Sequence, residues 1–549
     1  MTKLCRLHQN LFICSVAGLI LACVPFSAAA QRPNILLILA DDLGFSDLGC
    51  YGSRVSTPNL DRLAAGGIRF TQFYNAARCC PTRAALLTGL YPHQAGIGHM
   101  LGDWTKFGQA YSTGLNERCA TIAELLRDAS YRTYHIGKWH VGGLGKKDAR
   151  NHPMNRGFGR AYGSGGGGNY FTLRPLYLGR EDVQAGDNFY ATDAFTEYAV
   201  KFIEEHGRAP KDKPFFMHLC YTAPHFPLHA KPEDIAKYRG KFLNGWDAER
   251  VLRFAKQKDL RIIDVATRLS LRDPVAKAWV DVQEPEKDEW DLRMAVHAAM
   301  IDCMDQGIGR VLDAVRRIGA EQNTLVVFLS DNGASAEFLD SWPNPNRGHK
   351  PGSITGTRES HRCIEIGWAN TANTPFRENK MWVHEGGIHT PFIAFWPAGI
   401  KATGGLTSEV GHVIDLLPTF LELAGAKYPK SFQGRDLLPP EGRSLVPALQ
   451  GKALDPRTLA WEHKGNRAIR VGDWKLVAQF RGDWELYDLQ ADRTELRNLA
   501  SKMTGKVREL SAAWQQWADR VGVVPWKQLP GASYKPTANY RRKSEPVVP

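Results

Sequence analysis

Between residues 31 and about 425, apolar residues come in short unbroken runs separated by stretches of helical periodicity. Five runs stand out, at residues 34–40, 131–136, 214–221, 324–330 and 391–396. A strand that is apolar at every position is buried on both faces. Such strands alternating with helices predict a parallel sheet covered on either side. Two helix starts are legible between them: Thr57 sets a cap before Pro58 at the first helical position, and Thr121 with Glu124 forms a capping box. From about Arg457 the texture changes to short alternating strands at 468–471, 475–479 and 485–489. Gly472-Asp473 and Gly482-Asp483 supply turns, and a closing helix spans 502–521. The expected fold is α/β: a large mixed, mostly parallel sheet sandwiched by helices over residues 31–455, with a small antiparallel α+β module over 456–529.

The ends of the chain read differently. Lys3 and Arg6, the apolar run 11–26 and the small residues Ser27-Ala28-Ala29-Ala30 read as a signal peptide cleaved after residue 30, which predicts a periplasmic or secreted protein. The apolar run falls short of the ~20 residues that span a bilayer, so stable membrane insertion is not expected. Residues 530–549 form a Pro-rich basic tail to which no structure is assigned.

Composition adds three constraints. The 549 residues are 43% apolar and 23% charged, ordinary for a folded protein and long enough for more than one module. Loss of Lys3 and Arg6 with the leader lowers the formal charge from +13 to +11, which favours acidic partners. No Lys/Arg block or aromatic-interleaved basic stripe supports nucleic-acid binding, whereas a sulfated small molecule or polyanionic glycan fits the charge. Seven cysteines follow the leader (Cys50, Cys79, Cys80, Cys119, Cys220, Cys303 and Cys363), and in an oxidising compartment an odd number implies a thiol with a separate fate.

Ligand sites of open α/β sheets form at the carboxyl ends of strands. Four of the five runs end in polar residues: Asp41-Asp42, Gly137-Lys138-Trp139-His140, Ala223-Pro224-His225 and Asp331-Asn332-Gly333. One Asp-Asp pair alone reads as a solvated loop or a capping carboxylate; four such ends together point to a site. Asp41, Asp42, Asp331 and Asn332 make an all-oxygen donor set, suited to Ca²⁺ and less to Mg²⁺. Cys79-Cys80-Pro81-Thr82-Arg83 reads as a turn opening a helix, with Pro81 in the first turn and backbone amides and Arg83 available to a tetrahedral oxyanion. Taken bare, the two cysteines read equally well as a disulfide or as inert thiols.

The string CCPTRAALLTG resembles the sulfatase signature, with Cys79 at the modified position and Cys80 a bystander. Similar segments, among them PNILLILADDLG, HIGKWHVG, APHFP, TLVVFLSDNGA and NTPFRENKMWVHEGG, extend the resemblance from residue 33 to about 500, and residues 367–377 are closer to bacterial arylsulfatase-type members. The resemblance implies an alkaline-phosphatase-like fold and a formylglycine (3-oxoalanine) made from Cys79 by a separate maturation enzyme. Its hydrate offers one hydroxyl to attack sulfur and a second to expel sulfate, an exit that a plain ester lacks. By the same resemblance, Asp41, Asp42, Asp331 and Asn332 hold the cation together with the modified Cys79 side chain, and Asp331 activates the attacking hydroxyl. Arg83 and Lys138 hold the hydrate, His140 assists proton removal during release, and His225 and Lys380 bind sulfate and protonate the leaving oxygen. His389 departs from the pattern, which often has Arg there, and is left out of the site. The glycine run 164–168 with Asn169-Tyr170-Phe171 lacks the Gly-Lys-Ser/Thr of a phosphate loop and reads as a rim whose aromatics meet the organic part of the substrate. Two other readings remain: a phosphate or phosphonate monoester hydrolase with the same site, and a non-catalytic calcium-dependent glycan-binding protein.

Overall fold

A computed structural model describes residues 32–529, except 103, 143–149, 211, 340–347 and 402–403. The leader and the basic tail lie outside the described residues.

A ten-stranded sheet organises the molecule. Across it run Gly405–Thr407, Ile68–Phe70, Phe392–Phe395, Thr324–Ser330, Asn34–Asp41, Phe215–Pro224, Arg132–Lys138, Arg160–Ser164, Leu176–Leu178 and Glu181–Val183. The middle is parallel: Asn34–Asp41 pairs in parallel with both Thr324–Ser330 and Phe215–Pro224, which in turn pairs in parallel with Arg132–Lys138. Phe392–Phe395 runs antiparallel to both its neighbours, so the sheet is mixed, mostly parallel at its centre. All five apolar runs are strands, and the 324–330 run has the bounds expected.

The central strand shows why continuous apolarity was required. Ile35, Leu37 and Leu39 point into a core shared with helix Cys79–Thr88, while Leu36, Ile38 and Ala40 point into a core shared with helices Ala191–Arg208 and Glu284–Arg317. Alternate side chains leave a strand on opposite faces, so both faces here need apolar residues.

The first of these cores continues without interruption into the C-terminal module, whose antiparallel strands are Thr458–His463, Asn466–Val471, Trp474–Ala478 and Glu485–Asp488, packed under helix Thr504–Val521. A buried ion cluster also joins the layers: Lys475 Nζ lies 2.7 Å from Glu385 and 2.8 Å from Glu495.

Local signals behave as their chemistry dictates, with one exception. Thr121 and Glu124 close a full capping box. Thr57 occupies the N-cap position before Pro58, but its hydroxyl makes no capping bond. It accepts from the Gly49 amide and donates to Asp61 instead, tying the helix to the preceding turn.

Candidate active site

The polar strand ends converge. Lys138, the last residue of its strand, bonds Asp41 Oδ2 through Nζ. One turn into helix Cys79–Thr88, Arg83 donates Nε to Asp331 Oδ2 at 2.9 Å and Nη1 to the Lys138 carbonyl at 2.8 Å, with Nη2 3.8 Å from Asp41. Asn332 Nδ2 donates to Asp42 Oδ1 at 2.7 Å, and Lys380 Nζ donates to Asp42 Oδ2, also at 2.7 Å. His225 Nε2 lies 3.6 Å from the same Asp42 oxygen. Asp41, Asp42 and His225 each place a donor atom within 4.8 Å of the others, as do Cys79, Cys80 and His140. The structure therefore gathers the polar strand ends, Arg83 and Lys380 into one cluster, with Cys79 and His140 beside Lys138.

Each position has a local cause. Cys79 is the first residue of its helix and Arg83 sits one turn on, on the same face, in a helix buried at all ten positions. Gly137, just before Lys138, has φ +99°, and a Cβ there would stand 1.9 Å from the Cys220 carbonyl oxygen. Only glycine lets the strands close at that point. Asp42 and His140 hold left-handed backbones at φ +64° and +59°, conformations that non-glycine residues adopt at a cost and that gather at functional sites.

Electrostatics separate the carboxylates. Burial works to raise Asp41, but Lys138, His225 and Arg83 outweigh it and hold its carboxyl below the usual range. Burial, reinforced by neighbouring Asp41, pushes Asp42 and Asp331 up. The Cys79 thiol is held well below its ordinary value by a hydrogen bond from Cys80 and, against burial, by Lys138 and His140. Burial lowers the imidazoles of His140 and His225, the latter to about 3. Lys380 is raised, because Asp42 and Glu337 outweigh its burial.

The donor set fits a hard cation. Asp41 Oδ1 and Asn332 Oδ1 are buried with no hydrogen-bond partner, although buried oxygens are rarely left unpaired. Asp41, Asp42, Asp331 and Asn332 supply oxygens from two adjacent strand ends, and a divalent ion held by them would satisfy the two orphans.

The glycine run lies where a rim was expected: a Cβ on Gly166 would lie 4.0 Å from the His140 ring and one on Gly167 3.6 Å from His225 Nδ1. The aromatic part of that expectation is corrected for Tyr170. It is buried and donates its hydroxyl to the His225 carbonyl at 2.8 Å, so it backs the histidine and cannot meet substrate. His389, left out of the site, is buried between Glu385 and the Thr71 carbonyl and stacks on Phe376. Sequence reasoning missed Arg78 and Glu337. Glu337 lies 3.2 Å from Arg78 Nη2 and 3.5 Å from Lys380 Nζ, linking the residue before Cys79 to Lys380. The position of Arg78 next to the signature was the available signal.

Carboxylate-bearing strand ends, cationic side chains and a buried cysteine opening a helix are thus gathered at one edge of a mixed, mostly parallel sheet. Residues 33–426 match the Sulfatase family model, and residues 377–517 match the model for the C-terminal part of N-sulphoglucosamine sulphohydrolase. The chain belongs to the sulfatase family and is a sulfuric ester hydrolase. An uncharacterized sulfatase of Schizosaccharomyces pombe is 36% identical over 90% of this chain and 95% of its own, and an arylsulfatase of Klebsiella aerogenes is 33% identical over 78% and 95%. The solved structure of Ps i-CgsB in complex with k-i-k-neocarrahexaose is 26% identical, with a TM-score of 0.65 over 94% of this chain and 98% of that one.

Proposed function

We propose that this enzyme hydrolyses sulfate esters of carbohydrates or phenols with a formylglycine made from Cys79 by a separate maturation enzyme, and with Ca²⁺ held by Asp41, Asp42, Asp331 and Asn332. The observation that carries this reading is the pair of orphaned oxygens, Asp41 Oδ1 and Asn332 Oδ1, in the same cluster as Cys79 and its cationic neighbours. Cys79 Sγ marks where the oxygens of the aldehyde hydrate would sit. When formed, the hydrate supplies an oxygen nucleophile and a route for expelling sulfate. When bound, the cation supplies charge neutralisation for sulfate oxygens and acidifies an oxygen held against it.

The chain's own residues do the rest. Asp331, fixed by Arg83, accepts the proton of the attacking hydroxyl. Lys138 and Arg83 hold the position-79 side chain and keep the surrounding carboxylates charge-balanced. His140 removes the proton from the remaining hydroxyl during release. His225 and Lys380, converging on Asp42, bind sulfate oxygens and deliver a proton to the departing oxygen. The glycine rim over His140 and His225 limits access of water.

Carbohydrate substrates are favoured by the relatives: one is an N-acetylglucosamine-6-O-sulfatase of Bacteroides thetaiotaomicron, 29% identical over 87% of this chain. The signal-peptide pattern read in residues 1–30 supports a reaction in the periplasm or outside the cell. Rates on matched aryl sulfate and aryl phosphate, with enzyme matured at Cys79, test the proposal. Faster turnover of the sulfate is expected, and a clear preference for phosphate would replace this reading with the phosphomonoesterase one.

A further inference from the structure

The C-terminal sheet reaches the active site through one turn. Strands Thr458–His463 and Asn466–Val471 are joined by Lys464-Gly465 alone, with His463 paired to Asn466. Both turn residues are left-handed, at φ +54° and +81°, the pattern of a type I′ hairpin. Asn or Asp followed by Gly is the favoured pair there, because a long side chain at positive φ carries strain. A lysine is held in that place.

The turn docks beside the nucleophile. Lys464 Nζ lies 3.6 Å from Met381 Sδ, and Asn466 Nδ2 lies 3.4 Å from the Met381 carbonyl. Met381 in turn donates its amide to Ala77 at 2.9 Å, one residue before Arg78 and two before Cys79. Arg78 and Lys380 thus share one carboxylate, Glu337, and Lys464 lies near enough to feel the charge of all three. Lys380 is already engaged with Asp42. Among the described residues, Arg78 Nε and Nη1 are buried without hydrogen-bond partners, and so are both ring nitrogens of fully buried His463. Burial first, and then Arg78, bring the Lys464 ammonium down to about 8 against the pull of Glu337. Among the described residues Glu337 and Asp42 set two carboxylates against these three cations, so a further anion reaching them meets net positive charge.

We propose that Lys464 and Arg78 form a second anion subsite beside Cys79, which selects sulfate esters whose alcohol half carries another anionic group, a carboxylate or a second sulfate. The subsite rests on the sulfatase reading and narrows its substrate class. Strain at Lys464 is the cost of presenting an ammonium from the tip of the hairpin, where the side chain can reach past Met381 toward Arg78.

The test compares kcat/KM for phenyl sulfate, its ring-carboxylated counterpart and a benzenediol bis-sulfate, using wild type, Lys464→Asn and Lys464→Arg, all matured at Cys79. Wild type should prefer one or both dianionic substrates. Lys464→Asn should lower that preference about tenfold or more, while its thermal midpoint stays at or above that of wild type because asparagine suits the turn. Lys464→Arg should keep the preference. The dianionic substrate that loses its advantage identifies the carboxylate or the second sulfate as the group recognised. An unchanged preference in Lys464→Asn, or none in wild type that hydrolyses phenyl sulfate, overturns the subsite alone. Failure of matured wild type on all three overturns the sulfatase reading and the subsite with it.

Discussion

Arg83 and Asp331 are bound side by side, with Nε 2.9 Å and Nη2 2.8 Å from the same carboxylate oxygen, and neither side chain is exposed to solvent. This pair fastens the helix that begins with Cys79 to the strand end that carries the expected base. Arg83→Leu removes the counter-charge and leaves Asp331 buried beside Asp41. The expected cost is about 3–5 kcal/mol of stability together with loss of turnover. Urea denaturation checks the first and an aryl sulfate assay the second.

The adjacent cysteines should behave differently. Cys79→Ala is expected to fold normally and lose all turnover, because alanine cannot become an aldehyde. Cys80→Ala should keep most activity, since the part of the Cys80 thiol in the site is a hydrogen bond to its neighbour before maturation. Steady-state rates and circular dichroism of both variants check this pair. Activity in Cys79→Ala equal to that of wild type would end the proposal.

Removing the cation should lower both activity and the thermal midpoint. A ligand that binds only the folded state stabilises it by about 2.7 kcal/mol at a hundred times its dissociation constant. Chelation followed by added Ca²⁺ should restore both quantities, and Mg²⁺ should restore less, because Mg²⁺ demands near-ideal octahedral order and sheds its waters reluctantly. In Asp41→Asn the Ca²⁺-dependent rise in midpoint should shrink.

Much of this site was legible before any coordinates. The strand at Thr324–Ser330 is apolar at five of its seven positions, Leu325 to Leu329, before Ser330, Asp331 and Asn332, because a doubly covered strand must be apolar until it emerges at the ligand-bearing edge. The strands the sequence did not reveal are short or peripheral. Glu181–Val183 is largely exposed, and Ile68–Phe70 and Gly405–Thr407 have three residues each, too few for a period to register. Thr458–His463 was not among the strands read because Glu462 and His463 cut its apolar run to three residues, although Leu459, Ala460, Trp461 and His463 are all buried. Arg78 and Glu337 carried no spacing signal, because their meeting depends on the path of the loop after Asn332. The Thr57 hydroxyl was misread because Gly49 and Asp61 compete for it.

A buried pair away from the chemistry offers a pH test. Asp47 accepts from Arg253 at 2.7 Å and lies 3.2 Å from His297 Nε2. Although burial opposes it, His297 and Arg253 hold the Asp47 carboxyl down to about 2, against 3.8 for the free group. A depressed carboxylate stabilises the fold above its unfolded pKa, and that contribution is lost as pH falls through the folded value. Asp47→Asn should therefore be less stable than wild type at pH 7, with the gap shrinking by about 2 kcal/mol between pH 5 and pH 2. Denaturation of both proteins across that range measures it, and a gap that widens toward low pH would contradict the assignment.

The central claim concerns one atom on residue 79. Peptide mass mapping across Cys79 to Arg83, on active enzyme made in a host with the maturation system, tests it most directly. The account predicts a peptide in which Cys79 has lost its sulfur and gained an aldehyde, while Cys80 keeps its thiol. A fully active enzyme with an intact thiol at Cys79 would contradict it.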